Sequence, residues 1–197
     1  MSSKLWEVQF AFEYSLAKTL ITLGIQPDAM IGHSLGEITA AAISGAMTLE
    51  HALELVCIRG CLMQTIESGM MVSVCLSEKE VIPYLQEGVT IAAINSPKST
   101  VIAGQSDSVS KVVEKLELAR VALQVLPTSH AFHTPMVESI TDAFVNQISH
   151  IAFNIPQINY VSNVSSNWVD TSSALTPDYW VEHMRRPVQF SAGVETL

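Results

Sequence analysis

The sequence is short of basic residues and of long apolar runs, and each shortage excludes a class of protein. Lysines and arginines number 10 against 19 acidic residues, and this formal net charge of −9 argues against a nucleic-acid-binding face. No apolar run reaches the ~18 residues that a membrane span needs, and the N-terminus lacks the apolar core of a signal peptide. The composition, 48% hydrophobic and 15% charged over 197 residues, predicts a globular domain with room for an appended lobe.

Cysteine is also scarce. Cys57, Cys61 and Cys75 are an odd number, stand in apolar or helical contexts, and lack the spacing of metal ligands. We interpret them as reduced core residues of a cytoplasmic protein that binds no metal.

What the sequence does have is a glycine-flanked serine. Ala29–Ile31 is an apolar strand end, Gly32 and Gly36 flank Ser34, and a helix rich in alanine follows over 35–44. Such a strand-turn-helix exposes a serine hydroxyl at a helix N-terminus, where free N–H groups favour the negative charge of an acyl intermediate.

The hydrophobic pattern predicts an α/β fold with an inserted lobe. Beyond residue 69 it changes to a β-α-β-β-α-β order, which is the ferredoxin-like signature. We therefore predict a catalytic α/β core over 1–68 and 128–197 and a ferredoxin-like subdomain over 69–127. The predicted elements are helices at 5–23, 35–44, 49–66, 77–85, 106–119, 136–149 and 174–184, and strands at 29–31, 70–76, 89–95, 100–104, 122–126 and 159–162.

A serine nucleophile needs a base, and a substrate needs a recognition group. His130 and His133 lie in a loop that joins the two predicted lobes, a natural place for a cleft, although an ordinary surface role fits equally well. Arg59 lies in an apolar helix, where it could pair with Glu54 or Glu67 or bind a substrate carboxylate. The residues alone leave both questions open.

Taken together, the motifs resemble the acyltransferase domains of modular polyketide synthases and the malonyl-CoA:acyl carrier protein transacylases of fatty acid synthesis. They follow the family order and spacing across nearly the whole chain. The motifs are Gly-His-Ser-Leu-Gly-Glu at 32–37, Arg59-Gly60 with Met63-Gln64, Ala93-Ile94-Asn95-Ser96-Pro97, Val101-Ile102-Ala103-Gly104, His130-Ala131-Phe132-His133, Tyr160-Val161-Ser162-Asn163-Val164, Asp178-Tyr179-Trp180-Val181 and Arg186-Pro187-Val188-Gln189-Phe190.

The resemblance implies a transacylase-type, α/β-hydrolase-like core and a set of roles. Ser34 would be the nucleophile and His133 the general base and acid, with the Arg186 carbonyl orienting its ring. The Leu35 N–H would form half of the oxyanion hole, and Arg59 would bind the malonyl carboxylate. The remaining implied substrate-site residues are His33, Met63, Asn95, His130 and Phe132.

The resemblance also implies the substrates. The His-Ala-Phe-His form accompanies malonyl selection, since Phe132 would crowd an α-methyl branch, and Leu35 fits malonyl too. The donor would be malonyl-CoA, whose anionic CoA would need a local cationic site on this acidic chain. The acceptor would be a phosphopantetheinyl acyl carrier protein, beside a neighbouring ketosynthase, with no bound cofactor, nucleic acid or membrane.

Two other functions remain open at this stage. Family members begin with a Gly-Gln-Gly segment and close with further elements that this sequence lacks, so an inactive fragment that only docks a carrier protein is one alternative. A serine esterase is the other, with Asp170 or Asp178 and His183 completing its triad.

Overall fold

In a computed structural model, the protein is described over residues 3–169 and 176–197. Helix α1 (Ser3–Thr22) leads into strand β1 (Ala29–Ile31), and helices α2 (Leu35–Ile43) and α3 (Leu49–Met63) follow. These elements lie where the periodicity predicts them. The Thr48 side chain caps α3 by accepting the His51 N–H.

Strand β1 forms a parallel pair with a strand from late in the chain, β6 (Asn159–Val161). Ala29 faces Asn159 and Ile31 faces Val161 in the register. The pair places the chain that follows β6 beside the chain that follows β1. Residues far apart in sequence therefore meet at the carboxyl ends of two adjacent strands.

The middle of the chain forms a four-stranded antiparallel sheet with the order β3-β4-β2-β5. Its elements are β2 (Met70–Val74), α4 (Glu78–Val81) with a 3-10 turn (Ile82–Tyr84), β3 (Val89–Ser96), β4 (Ser99–Gly104), α5 (Ser106–Leu118) and β5 (Leu123–Val125). Strands β4 and β2 lie in the centre, and β3 and β5 form the edges. This is the strand order of a ferredoxin-like β-α-β-β-α-β fold. The predicted α/β fold class is confirmed, and the boundaries at 69 and 127 stay a prediction.

The remaining elements return to the first lobe. They are a 3-10 helix (Pro135–Ile140), α6 (Thr141–Ile148), α7 (Pro177–Arg185) and α8 (Phe190–Thr196). The sequence predicted one helix across 136–149, and its first turns are 3-10. Residues 174 and 175 of the predicted 174–184 helix lie outside the described residues. Helix α8 was not predicted.

The buried hydrophobic side chains form two clusters. Val72, Ile102, Val112 and Leu116 are among those that pack between the four-stranded sheet and its helices. A larger core joins α1, α2, α3, α6 and α7. Between the two, the Ile94 N–H donates to the Val188 carbonyl and the Val188 N–H to the Ala92 carbonyl, so β3 is tied to the segment after α7.

The prediction that the three cysteines are core residues is wrong. Cys61 and Cys75 are exposed and Cys57 only half-buried, so they are not core residues. On α3 the buried stripe passes through Leu55, Arg59 and Met63, and this spacing leaves both of its cysteines off the core face. On α1, Trp6 and Phe10 are buried, whereas Leu20 is exposed.

Candidate active site

Ser34 lies in the turn between β1 and α2, in a backbone conformation that side chains rarely adopt. Its φ is 51° and its ψ is −110°, and a non-glycine residue held there costs about 1–3 kcal/mol. The turn needs a glycine at Gly32, because a Cβ there would lie 2.0 Å from the Gly36 carbonyl carbon. This close approach is how the turn projects the Ser34 hydroxyl outward.

His133 is the histidine that contacts Ser34. The Ser34 Oγ lies 2.7 Å from His133 Nε2, and His133 Nδ1 lies 3.1 Å from the Arg186 carbonyl oxygen. A carbonyl oxygen only accepts, so Nδ1 carries the ring proton and Nε2 presents its lone pair to the Ser34 hydroxyl. The arrangement orients the ring as a base would require.

The loop that carries His133 is held close to the sheet. The Gly69 N–H donates to the Ser129 carbonyl at 3.1 Å. A Cβ at Gly69 would lie 2.7 Å from the Ala131 Cβ, so only glycine allows the loop to pack here.

His133 is held in its neutral form. It is 4% exposed, and this burial lowers its pKa well below the ordinary 6.5, with the positive charge of Arg59 as the next cause. The hydrogen bond to the Arg186 carbonyl opposes the shift. At neutral pH the ring is therefore ready to accept the hydroxyl proton.

Arg59 is a buried cation beside the same hydroxyl. It is 2% exposed. Its Nη2 donates to Ser34 Oγ at 3.1 Å, and its guanidinium carbon lies 4.9 Å from the Trp6 ring centroid. Burial lowers the pKa of Arg59 to about 10, and the charge of Glu37 opposes this shift. The group stays cationic at neutral pH.

The guanidinium is incompletely satisfied. Nε and Nη1 have no hydrogen-bond partner among the described residues. Neither Glu54 nor Glu67 pairs with Arg59, and Glu54 instead contacts His150 at 3.1 Å. A buried arginine with free donors is costly unless an anion binds to it, so the geometry suits a carboxylate or phosphate ligand.

These groups open into one cavity of about 320 Å³ between the two lobes. Seven of the predicted site residues line it: His33, Ser34, Leu35, Arg59, Asn95, Phe132 and His133. The other walls are mostly apolar, from Trp6, Met71, Ala92, Ala93, Val101 and Leu126. His33 closes one side, with its Nε2 2.8 Å from Asn95 Oδ1.

Besides Arg186, whose carbonyl contacts His133, two predicted residues lie off this wall. Met63 is fully buried in the core, and His130 directs its Nδ1 to Ser129 Oγ at 2.8 Å. The His130 ring lies 6.3 Å from the Phe132 ring, between centroids. Any influence that these two have on a substrate would pass through neighbours, and their predicted roles stay predictions.

The esterase triad is not assembled around Ser34. Asp170 lies outside the described residues, and Asp178 is exposed. His183 directs its Nε2 to the Glu37 carboxylate at 3.4 Å. Its ring centroid lies 6.0 Å from that of His133, which holds the position next to the serine.

A larger cavity of about 940 Å³ holds none of the predicted site residues. It is lined by residues such as Glu67, Glu87, Gln105 and Glu138. The smaller cavity is the candidate site, because Ser34, His133 and the incompletely satisfied Arg59 meet there. Within 3–169 and 176–197 no group of three histidine, cysteine, aspartate or glutamate side chains could hold a metal ion. In the same part of the chain, no helix has the length and apolarity to span a bilayer.

Sequence reasoning missed the polar network behind the turn. Asn163 bonds to the backbone at Gly32 and Ser34, and the buried Glu37 carboxylate accepts the Asn163 N–H. Both residues stand inside quoted motifs, but a motif does not show which backbone groups an amide will reach across the parallel strand pair.

Comparisons with known proteins show the family of the chain. A family profile described as acyl transferase domain matches residues 5–197. The phenolphthiocerol synthesis polyketide synthase type I Pks15/1 of Mycobacterium marinum is 40% identical over 190 residues, which cover 95% of this chain and 9% of that protein. The chain therefore spans under a tenth of this curated relative.

Solved structures of acyltransferase domains have the same fold as this chain. The acyl transferase domain of SpnD, in complex with 2-(pent-4-yn-1-yl)malonyl, superposes with a TM-score of 0.96 at 35% identity, over 99% of this chain and 48% of that one. The acyltransferase domain from the second module of the salinomycin polyketide synthase gives 0.93 at 37% identity, over 98% and 46%. The chain belongs to the acyl transferase domain family.

Proposed function

We propose that this chain transfers a malonyl group from malonyl-CoA to the phosphopantetheine thiol of an acyl carrier protein through an ester on Ser34. One observation carries the proposal. The same hydroxyl oxygen lies 2.7 Å from a neutral histidine nitrogen and 3.1 Å from a buried arginine that has two unsatisfied nitrogens.

The first half-reaction loads the enzyme. Ser34 Oγ attacks the thioester carbonyl as His133 Nε2 takes its proton, so the O–C bond forms and the carbonyl oxygen becomes an oxyanion. The Leu35 N–H, at the N-terminus of α2, would donate to that oxygen. Collapse breaks the C–S bond, and protonated His133 returns the proton to the departing CoA thiolate.

The second half-reaction reverses these steps with a different thiol. His133 takes the proton of the phosphopantetheine thiol, the sulfur attacks the seryl ester, and Ser34 leaves with the proton. Phosphopantetheine is the same arm that malonyl-CoA carries, so one cavity serves both halves. Carrier protein and neighbouring synthase domains are the partners that we propose, in line with polyketide synthase relatives such as Pks15/1.

Arg59 selects the acyl group in this proposal. The malonyl carboxylate would accept from one of the free donors, Nε or Nη1, and offset the cost of burying the cation. The SpnD domain, whose structure contains a substituted malonyl group, supports a dicarboxylic acyl group of this kind. Phe132 would disfavour an α-methyl branch, by roughly 1–3 kcal/mol as is typical of packing alone.

The test of the function is the fate of the acyl group. The protein is mixed with malonyl-CoA and a phosphopantetheinyl carrier protein, and malonyl-carrier and free malonate are both quantified. Transfer to the thiol well above release to water supports the proposal. Predominant hydrolysis would indicate an esterase, and no acyl-enzyme at all would indicate an inactive docking domain.

A further inference from the structure

The side chain of Asn163 holds the turn that carries Ser34 at two backbone points. Its Oδ1 accepts the Ser34 N–H at 2.7 Å, and its Nδ2 donates to the Gly32 carbonyl at 2.6 Å. Asn163 follows β6 and is 2% exposed, so water does not compete for either bond. One planar amide therefore pairs with the Gly32 carbonyl before His33 and with the Ser34 N–H after it.

These two bonds act on a backbone that would otherwise relax. Ser34 has a positive φ of 51°, and strained residues persist only where their surroundings over-determine them. Rotation of the Ser34 peptide would move Oγ away from His133 Nε2, now 2.7 Å distant. It would also redirect the N–H of Leu35, the next residue.

Asn163 is itself fixed by a buried carboxylate. Its N–H donates to Glu37 Oε2 at 2.7 Å, and its carbonyl accepts the Gln189 N–H at 2.9 Å. Glu37 is fully buried, accepts the Tyr179 hydroxyl, and lies 3.4 Å from His183 Nε2. Glu37 belongs to α2, the helix that follows the turn. This helix therefore fixes Asn163, and Asn163 in turn fixes the backbone at Gly32 and Ser34.

We propose that Asn163, fixed by Glu37, is a positioning residue that sets the direction of the Ser34 hydroxyl. The proposal rests on the proposed function for the identity of the nucleophile. It adds that the reactivity of Ser34 depends on the donor and acceptor pair of Asn163, a residue that does not line the cavity.

The chemistry of the pair sets the choice of variants. Asn163→Leu has a similar size and neither polar group. Asn163→Asp keeps the acceptor for Ser34, but its second oxygen faces the Gly32 carbonyl and repels it while the group is ionised. Protonation turns that oxygen into a donor and restores both bonds. Asn167→Asp adds the same charge at an exposed position nearby and is the matched control.

The experiment labels Ser34 with a fluorophosphonate, which reports its nucleophilicity without any acyl substrate, from pH 5 to pH 8. We expect Asn163→Leu to slow labelling about 10²-fold, the typical cost of misplacing a reacting group. Asn163→Asp should be as slow at pH 8 and should recover towards the unsubstituted protein as the pH falls. Asn167→Asp should match the unsubstituted protein throughout.

Normal labelling of Asn163→Leu, or a loss in Asn163→Asp that does not vary with pH, would overturn the proposal. If neither variant folds, Glu37→Gln provides the check, because a neutral acceptor holds the Asn163 N–H more weakly. An unchanged labelling rate there would also overturn it. Failure of the proposed function is seen separately, as normal fluorophosphonate labelling of the unsubstituted protein with no malonyl transfer.

Discussion

The two lobes contribute different things to the cavity. The lobe that carries the Ser34 turn, here called the elbow side, presents a strained serine, a neutral histidine and a buried arginine whose Nε and Nη1 are unsatisfied. The four-stranded sheet presents mainly apolar side chains, among them Met71, Ala92 and Val101. The first side carries features that cost folding free energy and give reactivity. The second is stabilised by apolar burial and gives the cavity its shape.

The comparison predicts different consequences for substitutions on the two sides. Changes on the elbow side should alter the rate greatly and the stability little. Changes on the sheet side should alter stability and acyl preference, with the rate of the chemical step preserved.

The largest effect is expected at the base. His133→Ala should slow Ser34 acylation by ~10²–10⁴-fold, the usual contribution of a general base. Stopped-flow measurement of CoA release gives the rate. His130→Ala is the matched control, because its ring faces Ser129; it should keep most of the turnover and change mainly the acyl preference. The reverse ranking would move the base to His130.

Next is the selection of the acyl group. Arg59→Ala should lower malonyl loading, because the carboxylate is desolvated without a partner, and should raise acetyl loading, because no unpaired charge remains. The ratio of the two products in a competition experiment, corrected for the folded fraction, measures this. An unchanged malonyl-to-acetyl ratio would show that Arg59 has only a structural role. The acyl selectivity would then rest on Phe132.

The pH dependence of the acylation rate tests whether Arg59 influences His133. Burial, and then the charge of Arg59, lowers the pKa of His133. The base thus stays unprotonated below pH 6.5, and the acylation rate should fall only well below that pH. Arg59→Met removes one cause of the shift, so its acid limb should move to higher pH. Coincident limbs would show that Arg59 does not influence the base.

The lowered pKa of His133 also makes the free energy of unfolding depend on pH. The unfolded chain binds a proton at His133 as the pH falls through 6.5, and the folded chain does not. This contribution to the free energy of unfolding is therefore present above pH 6.5 and lost progressively below it. Urea unfolding of the protein and of His133→Ala at several pH values measures it, and parallel pH dependences would exclude it.

Phe132, which lies in the loop before His133, is predicted to exclude a branched acyl group. Phe132→Ser should improve methylmalonyl loading relative to malonyl by an amount equivalent to roughly 1–3 kcal/mol. Stability should fall as well, since the ring is buried and lies 5.0 Å from that of Trp6. A constant ratio of the two loaded acyl groups would argue against steric selection at this position.

The smallest effects come from a pair on β4 whose side chains point to opposite faces. Val101 lines the cavity, and Ile102 packs in the core of the four-stranded sheet. Ile102→Val should cost about 0.5–1.5 kcal/mol of stability and leave acylation unchanged. Val101→Ala should alter the acyl preference as well. The same acyl preference in both variants would contradict the prediction that only the face of the sheet that lines the cavity affects acyl selection.

The sequence predicted most of the fold because its signals are local. Apolar periodicity placed β1 and α2, and the predicted helix at 49–66 begins where α3 begins. The 3-10 turns and the exposure of Cys61 were missed, because they depend on how helices pack against one another. The resemblance supplied the roles of Ser34, His133 and Arg59, and these stay predictions until they are tested.

What the sequence could not supply is the network behind the turn. Asn163 reaches Gly32 and Ser34 only because β6 pairs with β1 in parallel, a long-range contact without a local signal. Similarly, the orphaned donors of Arg59 follow from burial in three dimensions. Helical periodicity placed Arg59 on the apolar face of α3 without showing whether a carboxylate faced it.

The central claim is that Ser34 carries the acyl group, and intact-protein mass spectrometry tests it most directly. After incubation with malonyl-CoA, the protein should gain the mass of a single malonyl group, and peptide mapping should place it on Ser34. Ser34→Ala should gain none. A malonyl adduct that persists in Ser34→Ala, or its absence from the unsubstituted protein, would contradict the account.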